Sequence, residues 1–579
     1  MSPIKFFLAV FWWILWPISS FLCILFYITD YTDVLQLGNI SYHNAIFLQQ
    51  KITFKEDHYY LLVIFIQTLS LIITLILVYS FISRNWIKQE LIVVVTELSQ
   101  VFRITNQLIK QLTKKEKIIA LTILILIICI RIIYLKQYPF TTDEVASYDF
   151  FVMEGPLAVT SFYPMTNNHI LSNLFCLLFY QLGTEPILTM RVPTLLVSLF
   201  GTILMYIVLI RYCGFAVATL SISILSFSQV GIFYAIAGRG YFLLTVLGFT
   251  GVFSMLNLMY KSERARLYWF LFMISSILGF YTVPTFIYLF VSILSIGFCY
   301  FLMQKQLAKL YQLIASSFII LFGTIILYLP LIFITTINTI IRIEFIQPLN
   351  NDIFWSGFPL YFFYTEGYLV GQERLGKYLL FIILILFAVK LFFFKEKGIY
   401  LKIGLPALAL VFTPYILMIL QKVYVPDRAL FYKTIYLYLV ASFLFFWVLY
   451  KMRIEQKYKS FLVGIILLMY CCYQLYHLKK FLAPVRVEEQ QRKETFIWLK
   501  AFKPKNILVL DPLYALFLNH YFKAAKINCS VHSEIIADTQ YNFLIFSVND
   551  KLEINKMSLA PLGKKVYQNN YIRVYELEN

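Results

Sequence analysis

Lys117-Ile-Ile-Ala-Leu-Thr-Ile-Leu-Ile-Leu-Ile-Ile-Cys-Ile-Arg-Ile-Ile-Tyr-Leu135 is almost unbroken hydrocarbon, and Gln137-Tyr-Pro-Phe-Thr-Thr-Asp143-Glu144-Val-Ala-Ser-Tyr148 follows one residue later. The first stretch approaches the roughly 20 apolar residues a helix needs to cross a bilayer. The second places two adjacent carboxylates at its mouth. Charged groups there are costly to desolvate, so the pair marks either the start of a surface helix or a working site. One carboxylate of such a pair can take a proton from a hydroxyl while the other orients it. Asp143 is therefore the candidate general base. Glu144 is the candidate that orients it or holds a cation.

The rest of the chain reads in the same way. Its 579 residues are 60% hydrophobic, with a mean hydropathy of +0.76. That excludes a soluble globular protein of this length and predicts an all-α polytopic membrane protein. A net charge of +19 would suggest a nucleic-acid partner in a soluble domain. Here the basic residues gather in short loops between apolar runs, so the charge reports membrane topology and no nucleic acid is expected.

About thirteen transmembrane helices are expected, at 6–29, 59–82, 117–135, 187–210, 215–236, 241–260, 267–282, 285–303, 311–336, 376–394, 401–420, 429–450 and 459–478. The first has too long an apolar run for a signal peptide and is read as retained. Residues 170–183 are apolar but too short to cross, and are expected at the membrane surface. With that segment not crossing, Lys88, Arg103, Lys110, Arg211, Lys261, Arg264, Arg266, Lys305, Lys309, Lys402, Lys451 and Arg453 fall on one side. The positive-inside rule makes it the cytoplasmic side, with the N-terminus inside and the C-terminal tail outside.

Three parts follow. Residues 1–116 hold two spans and a cytoplasmic connector, amphipathic over 87–112. Residues 117–478 form the main membrane body, and 479–579 a small α/β domain outside the membrane. In that domain strands are expected at 506–511, 541–547 and 571–576, and a helix over 512–525. Most of the eight cysteines lie in apolar stretches, so no disulfide framework is expected. No metal-ligand spacing occurs, and no metal or other cofactor is expected.

Further outward-facing signals follow Asp143-Glu144 in order. They are Asn167-Asn168-His169, Arg191-Val-Pro193, Ala237-Gly-Arg239-Gly-Tyr241, Gly279-Phe-Tyr281-Thr-Val-Pro284 and Val425-Pro-Asp-Arg428. In this order, over about 117–478, the chain resembles the GT-C superfamily of integral-membrane glycosyltransferases. The likeness is to the branch holding protein O-mannosyltransferases and lipid A aminoarabinose transferases. His169 stands where that family often has a His-Pro-Pro-Leu-like motif, without the prolines.

The resemblance implies a GT-C-like fold and a polyprenyl-phosphate-linked sugar as donor. It implies a hydroxyl acceptor on protein, lipid or glycan, and a reaction on the outer side of a bacterial cytoplasmic membrane. With Asp143 as base and no protein nucleophile, the anomeric carbon is expected to invert. Arg239 and Tyr241 are the first candidates for the donor phosphate, since glycines on both sides of Arg239 allow close backbone approach. His169 and Arg428 are further candidates, and Tyr281 is a candidate for lining the lipid or sugar groove. The long segment 337–375 is expected to be a lid or acceptor-binding loop.

Two other classes compete. A lipid or glycan transporter would need ionisable groups in mid-span, and the spans after 187 carry few. A non-catalytic envelope-assembly scaffold would use the N-terminal spans and C-terminal domain as docking elements. A polymerase or ligase of pyrophosphate-linked oligosaccharides is a nearer alternative, against which the early Asp-Glu pair argues.

Overall fold

The computed structural model describes residues 3–43, 54–83, 85–163, 167–261, 263–335, 347–371, 373–394, 398–453, 455–536, 539–548 and 563–577. Among these, eleven helices are long and apolar enough to cross a membrane. Phe215–Phe227 and Gln229–Ile236 make a twelfth if taken as one span, bent by 72° at Ser228. Ser228 ends one helix and caps the next, its hydroxyl accepting from the Gly231 N–H at 3.0 Å.

The remaining expected span, 376–394, falls on the 21-residue helix Glu373–Phe393. Ile170–Gln181 is a short apolar helix as the sequence suggests. The span expected at 311–336 ends at Leu327, and a second helix, Leu329–Ile334, takes Pro330 into its first turn. A proline is tolerated there because the missing N–H would have no partner. Residues 337–346 of the expected lid lie outside the described residues. Beyond them, Asn351–Val370 is a 20-residue helix, not a loop. Phe354, Thr365, Glu366 and Leu369 face inward while Trp355, Leu360 and Tyr364 stay exposed, and this aromatic outer face hides the helical period in the sequence.

The connector Asn85–Gln111 is helical, as its periodicity predicts. It is tied to the start of Ala265–Thr282 by Arg266 Nε on Glu90 Oε2 at 2.5 Å and by the Leu267 N–H donating to Glu97 at 2.8 Å. Arg131, inside the span Lys114–Gln137, is wholly buried. Its guanidinium donates to the Ser198 carbonyl at 2.9 Å, to Thr202 Oγ1 at 3.0 Å and to Ser226 Oγ at 3.5 Å. Neutral oxygens thus hold this cation, and it braces two neighbouring helices just before the bend at Ser228.

The last span does not stop at the expected 478/479 boundary. Gln456–Phe502 is one helix of 47 residues that passes into the C-terminal domain. The fall in hydropathy marks where the helix changes surroundings; Glu, Gln, Lys and Arg over 488–494 keep it helical. The domain carries strands β1 Asn506–Val509, β2 Ser530–His532, β3 Phe543–Ser547, β4 Lys564–Gln568 and β5 Ile572–Glu576. They form one sheet in the order β2-β1-β3-β5-β4, parallel for the first three and antiparallel thereafter. Pro512–Ala524 crosses from β1 to β2 and is capped by Asp511. One side of this helix, with Tyr514, Ala515, Leu518 and Phe522, closes the domain's own core. The other, with Leu516 and Phe517, joins the core of the membrane body.

Candidate active site

The acidic pair opens a short helix, Thr142–Ser147. Thr141 is its N-cap, and a reciprocal capping box forms: the Glu144 N–H donates to Thr141 Oγ1 at 3.3 Å and the Thr141 N–H to Glu144 Oε2 at 3.0 Å. The helix runs directly into a π-helical turn, Tyr148–Val152.

Glu144 is wholly buried and gripped by Arg191, with Nε on Oε1 at 2.8 Å and Nη2 on Oε2 at 2.7 Å. The Gly238 N–H adds a third bond at 2.8 Å. The remaining Arg191 donors go to the carbonyls of Leu135, Tyr138 and Pro139 at 2.7–2.8 Å. Burial pushes the Glu144 pKa up, but the Arg191 charge and its hydrogen bonds outweigh that and hold it below the usual value. Of the two expectations for Glu144, orienting Asp143 or holding a cation, the geometry has the second: it holds the Arg191 guanidinium, and its oxygens tie 135–144 to the segment at Gly238.

Asp143 points the other way. Its Oδ2 lies 3.0 Å from Arg428 Nη1 and 3.5 Å from Arg239 Nη2. Side-chain exposure is 35% for Asp143, 39% for Arg428 and 2% for Arg239, so the site opens beside the first two and is floored by the third. Burial raises the Asp143 pKa, and Arg239 then Arg428 lower it by more, leaving it below the ordinary carboxylate value. Two guanidiniums thus share one Asp143 oxygen, and the Asp427 carboxylate also lies within electrostatic reach of Arg428.

Arg239 is set by backbone geometry. The flanking glycines sit where a side chain would collide: a Cβ at Gly238 would lie 2.6 Å from Met190 Cβ, and one at Gly240 would lie 2.6 Å from Thr282 Cγ2 and 3.1 Å from His169 Nδ1. Arg239 Nη1 donates to the Asp143 carbonyl and Ser147 Oγ, each at 3.3 Å, and to Asn167 Oδ1. The Asn167 amide in turn donates to the Asp143 carbonyl at 2.9 Å. Asn167 and Ser147 are therefore site residues that sequence reasoning did not single out. The only signal was their place in quoted motifs, with nothing to say what they touch.

His169 is buried at the head of Ile170–Gln181. The Gly240 N–H donates to its Nδ1 at 2.8 Å. Burial, then the charges of Arg239 and Arg428, hold its pKa well below the usual histidine value, so the ring is neutral. Nε2 lies 3.1 Å from Arg239 Nη2, which can only donate, so Arg239 and the Gly240 N–H compete for the one acceptor nitrogen of the neutral ring.

Tyr241 packs its ring edge-on to His169, with centroids 4.6 Å apart, and lies 5.7 Å from the Arg239 guanidinium carbon. Arg428 stands on the 3₁₀ turn Asp427–Leu430. Tyr281 is buried in Ala265–Thr282, its ring is 5.8 Å from Tyr328, and its hydroxyl has no hydrogen-bond partner among the described residues. The structure therefore brings Asp143, Arg239, Tyr241, His169 and Arg428 together, gives Glu144 to the scaffold, and places Tyr281 in apolar packing.

No family model matches the chain, and no curated protein matches it. Solved structures do. A crystal structure of ArnT from Cupriavidus metallidurans bound to undecaprenyl phosphate superposes with a TM-score of 0.51 at 11% identity, covering 79% of this chain and 97% of that one. The chain thus has a GT-C-like fold: a polytopic helical membrane body with a small C-terminal sheet domain.

Proposed function

We propose that this protein is a membrane glycosyltransferase that moves a sugar from a polyprenyl-phosphate carrier to a hydroxyl acceptor on the outer side of the cytoplasmic membrane, with inversion. The observation that carries the reading is Asp143 held between Arg239 and Arg428 at a partly open site. It occurs in a fold shared with a protein that binds undecaprenyl phosphate.

Arg239 Nη2 is a donor suited to a phosphate oxygen, with the His169 ring beside it at 3.1 Å, and charge-assisted bonds of this kind are the strong ones. Arg428, more exposed, completes the clamp from the open side, and Tyr241 holds the His169 ring edge-on. A carboxylate bound by two guanidiniums is a weak base. An arriving phosphate shares those donors and returns basicity to Asp143 when the donor is seated. Asp143 then takes the acceptor's proton, and the acceptor oxygen bonds to the anomeric carbon. The bond from that carbon to the phosphate oxygen breaks on the opposite face, and the leaving phosphate keeps the electron pair beside the cations. The arginines neutralise the charge, so the reading calls for no metal; activity abolished by a chelator and restored by a divalent cation would correct it.

The test is direct. Purified protein is given undecaprenyl-phosphate-linked sugars and candidate acceptors, and undecaprenyl phosphate release is followed. Release by the native protein and none by Asp143→Asn supports the reading; no release from any such donor sinks it. The transporter reading gains nothing from Arg131, because that cation is sealed among helices with no exposed atom.

A further inference from the structure

The C-terminal domain packs on the acidic helix, and one of its side chains hydrogen-bonds the turn that continues it. His520 lies on Pro512–Ala524, on the side turned to the membrane body. Its Nδ1 lies 2.8 Å from Asp149 Oδ1, and both residues are buried. Asp149 is in the π-helical turn that continues the Asp143 helix without a break. The other Asp149 oxygen is buried with no hydrogen-bond partner, so His520 is the one group that compensates this carboxylate among the described residues.

The same ring also touches the other end of the helix. Its centroid is 5.5 Å from that of Phe140, just before the N-cap, and 5.8 Å from that of Tyr148, just after the last helical turn. Phe140 in turn lies under the Arg191 guanidinium, 5.7 Å from its carbon, and Arg191 grips Glu144. Three residues further along the docking helix, Lys523 Nζ stands 3.9 Å from Glu154. π-helical turns need a tertiary contact to hold them, since they fit the regular helical ladder poorly.

We propose that His520 is a positioning residue of the transfer reaction. By bonding Asp149 and packing on Phe140 it fixes both ends of the six-residue helix that aims Asp143, which makes the C-terminal domain a part of the active centre. The inference rests on the glycosyltransferase reading for its kinetic consequence, and on geometry alone for its structural one. A displacement of about an ångström at a reacting group can cost up to about 100-fold in rate. His520 touches none of Arg239, His169 and Arg428 and reaches Arg239 only through the Asp143 carbonyl and Ser147 Oγ, so turnover is expected to fall by more than donor binding.

The experiment uses the full chain in detergent with three variants. His520→Phe keeps a ring and removes the hydrogen bond. His520→Asn carries its amide where Nδ1 stands. His520→Gln carries it where Nε2 stands. Hydrogen–deuterium exchange is read over residues 140–152, and kcat and KM are read with an undecaprenyl-phosphate-linked sugar that the native protein turns over. Expected are faster exchange and a kcat lower by about 10-fold or more for the Phe and Gln variants, with donor KM changed by less, and recovery of both by Asn. Native exchange and native kcat in the Phe and Gln variants would overturn the proposal, as would an Asn variant as impaired as Gln. If the Phe variant is not recovered folded, the Asn–Gln contrast decides. If the native protein turns over no such donor, the transfer reading falls, and exchange alone decides whether His520 orders the helix.

Discussion

Asp143 and Glu144 are neighbours in the chain and carry the same charge, yet they belong to two different ion-pair centres. Glu144 meets one arginine in a sealed, fork-to-fork pair with every oxygen satisfied. Asp143 meets two arginines at a half-open site, through one oxygen. The first arrangement is closed: neither partner has anything further to bind. The second is open to a further anion. Adjacent positions on a helix point about 100° apart, so a single turn can put one carboxylate into the scaffold and the next into the site.

The strongest way to break this contrast is to neutralise each carboxylate in turn. Asp143→Asn is expected to fold as the native protein does and to lose about 10²–10⁴-fold in turnover, the span ordinarily due to a general base. Undecaprenyl phosphate release reports the rate, and a melting curve in detergent reports the fold. Glu144→Ala is expected to do the reverse first: it leaves Arg191 buried without its partner, which costs about 3–5 kcal/mol, and folded protein is lost before kinetics can be read. If the two variants show the same phenotype, the division of labour is wrong.

The two arginines at Asp143 divide further. Arg428→Ala removes an exposed, charge-assisted contact and is expected to raise the donor KM by about 10- to 100-fold, from about 1.5–3 kcal/mol per such bond. Arg239→Lys keeps the charge but loses the fork that reaches Asn167, Ser147 and the Asp143 carbonyl. It is expected to lower kcat as well as weaken binding, since a lysine cannot reproduce that geometry. Equal effects of the two on KM alone would place both in simple anion binding.

The order of the spans, the C-terminal domain's strands and the place of the acidic pair were legible in the sequence because each rests on a local pattern. Hydropathy alone finds a span, and short continuous apolar runs find β1 and β3. What the sequence hid depends on distant partners. Nothing near Glu144 shows that Arg191, 47 residues away, will close on it. Nothing near Asp149 announces His520, 371 residues later. The helix Asn351–Val370 was hidden because its exposed side is as aromatic as its buried one, and the one-helix passage through 478/479 because hydropathy reports surroundings and not backbone. Arg131 reads in the sequence as a lone charge in hydrocarbon, and only the fold shows the hydroxyls that hold it.

Acid titration sharpens the same comparison with a smaller effect. Both carboxylates have pKa values below their ordinary ones. A base with a lowered pKa stays ionised through neutral pH, so kcat/KM is expected to be flat downwards from neutrality and to fall only below the usual aspartate value of about 3.9. For Glu144 the consequence is stability. A folded pKa below the unfolded one contributes stability that is fully present above about 4.3 and lost as pH falls through the folded value. Activity and melting temperature should thus fail together at the acid end, each through its own carboxylate. An acid limb near pH 6 to 7 in kcat/KM would assign the base to some other group.

The smallest expected effect is at Tyr281, which the sequence placed beside the donor and the structure places in packing. Its hydroxyl is buried and makes no hydrogen bond among the described residues, while its ring meets Tyr328 edge-on. A buried hydroxyl without a partner carries its desolvation cost uncompensated, so removing it is neutral or favourable. Tyr281→Phe keeps the ring contact and is expected to leave turnover and donor KM within about twofold of native, with thermal stability unchanged or raised by up to about 1 kcal/mol. A rise in donor KM in this variant would bring Tyr281 back to the substrate, and would mean that the groove for the carrier lipid extends past Arg239 towards Ala265–Thr282.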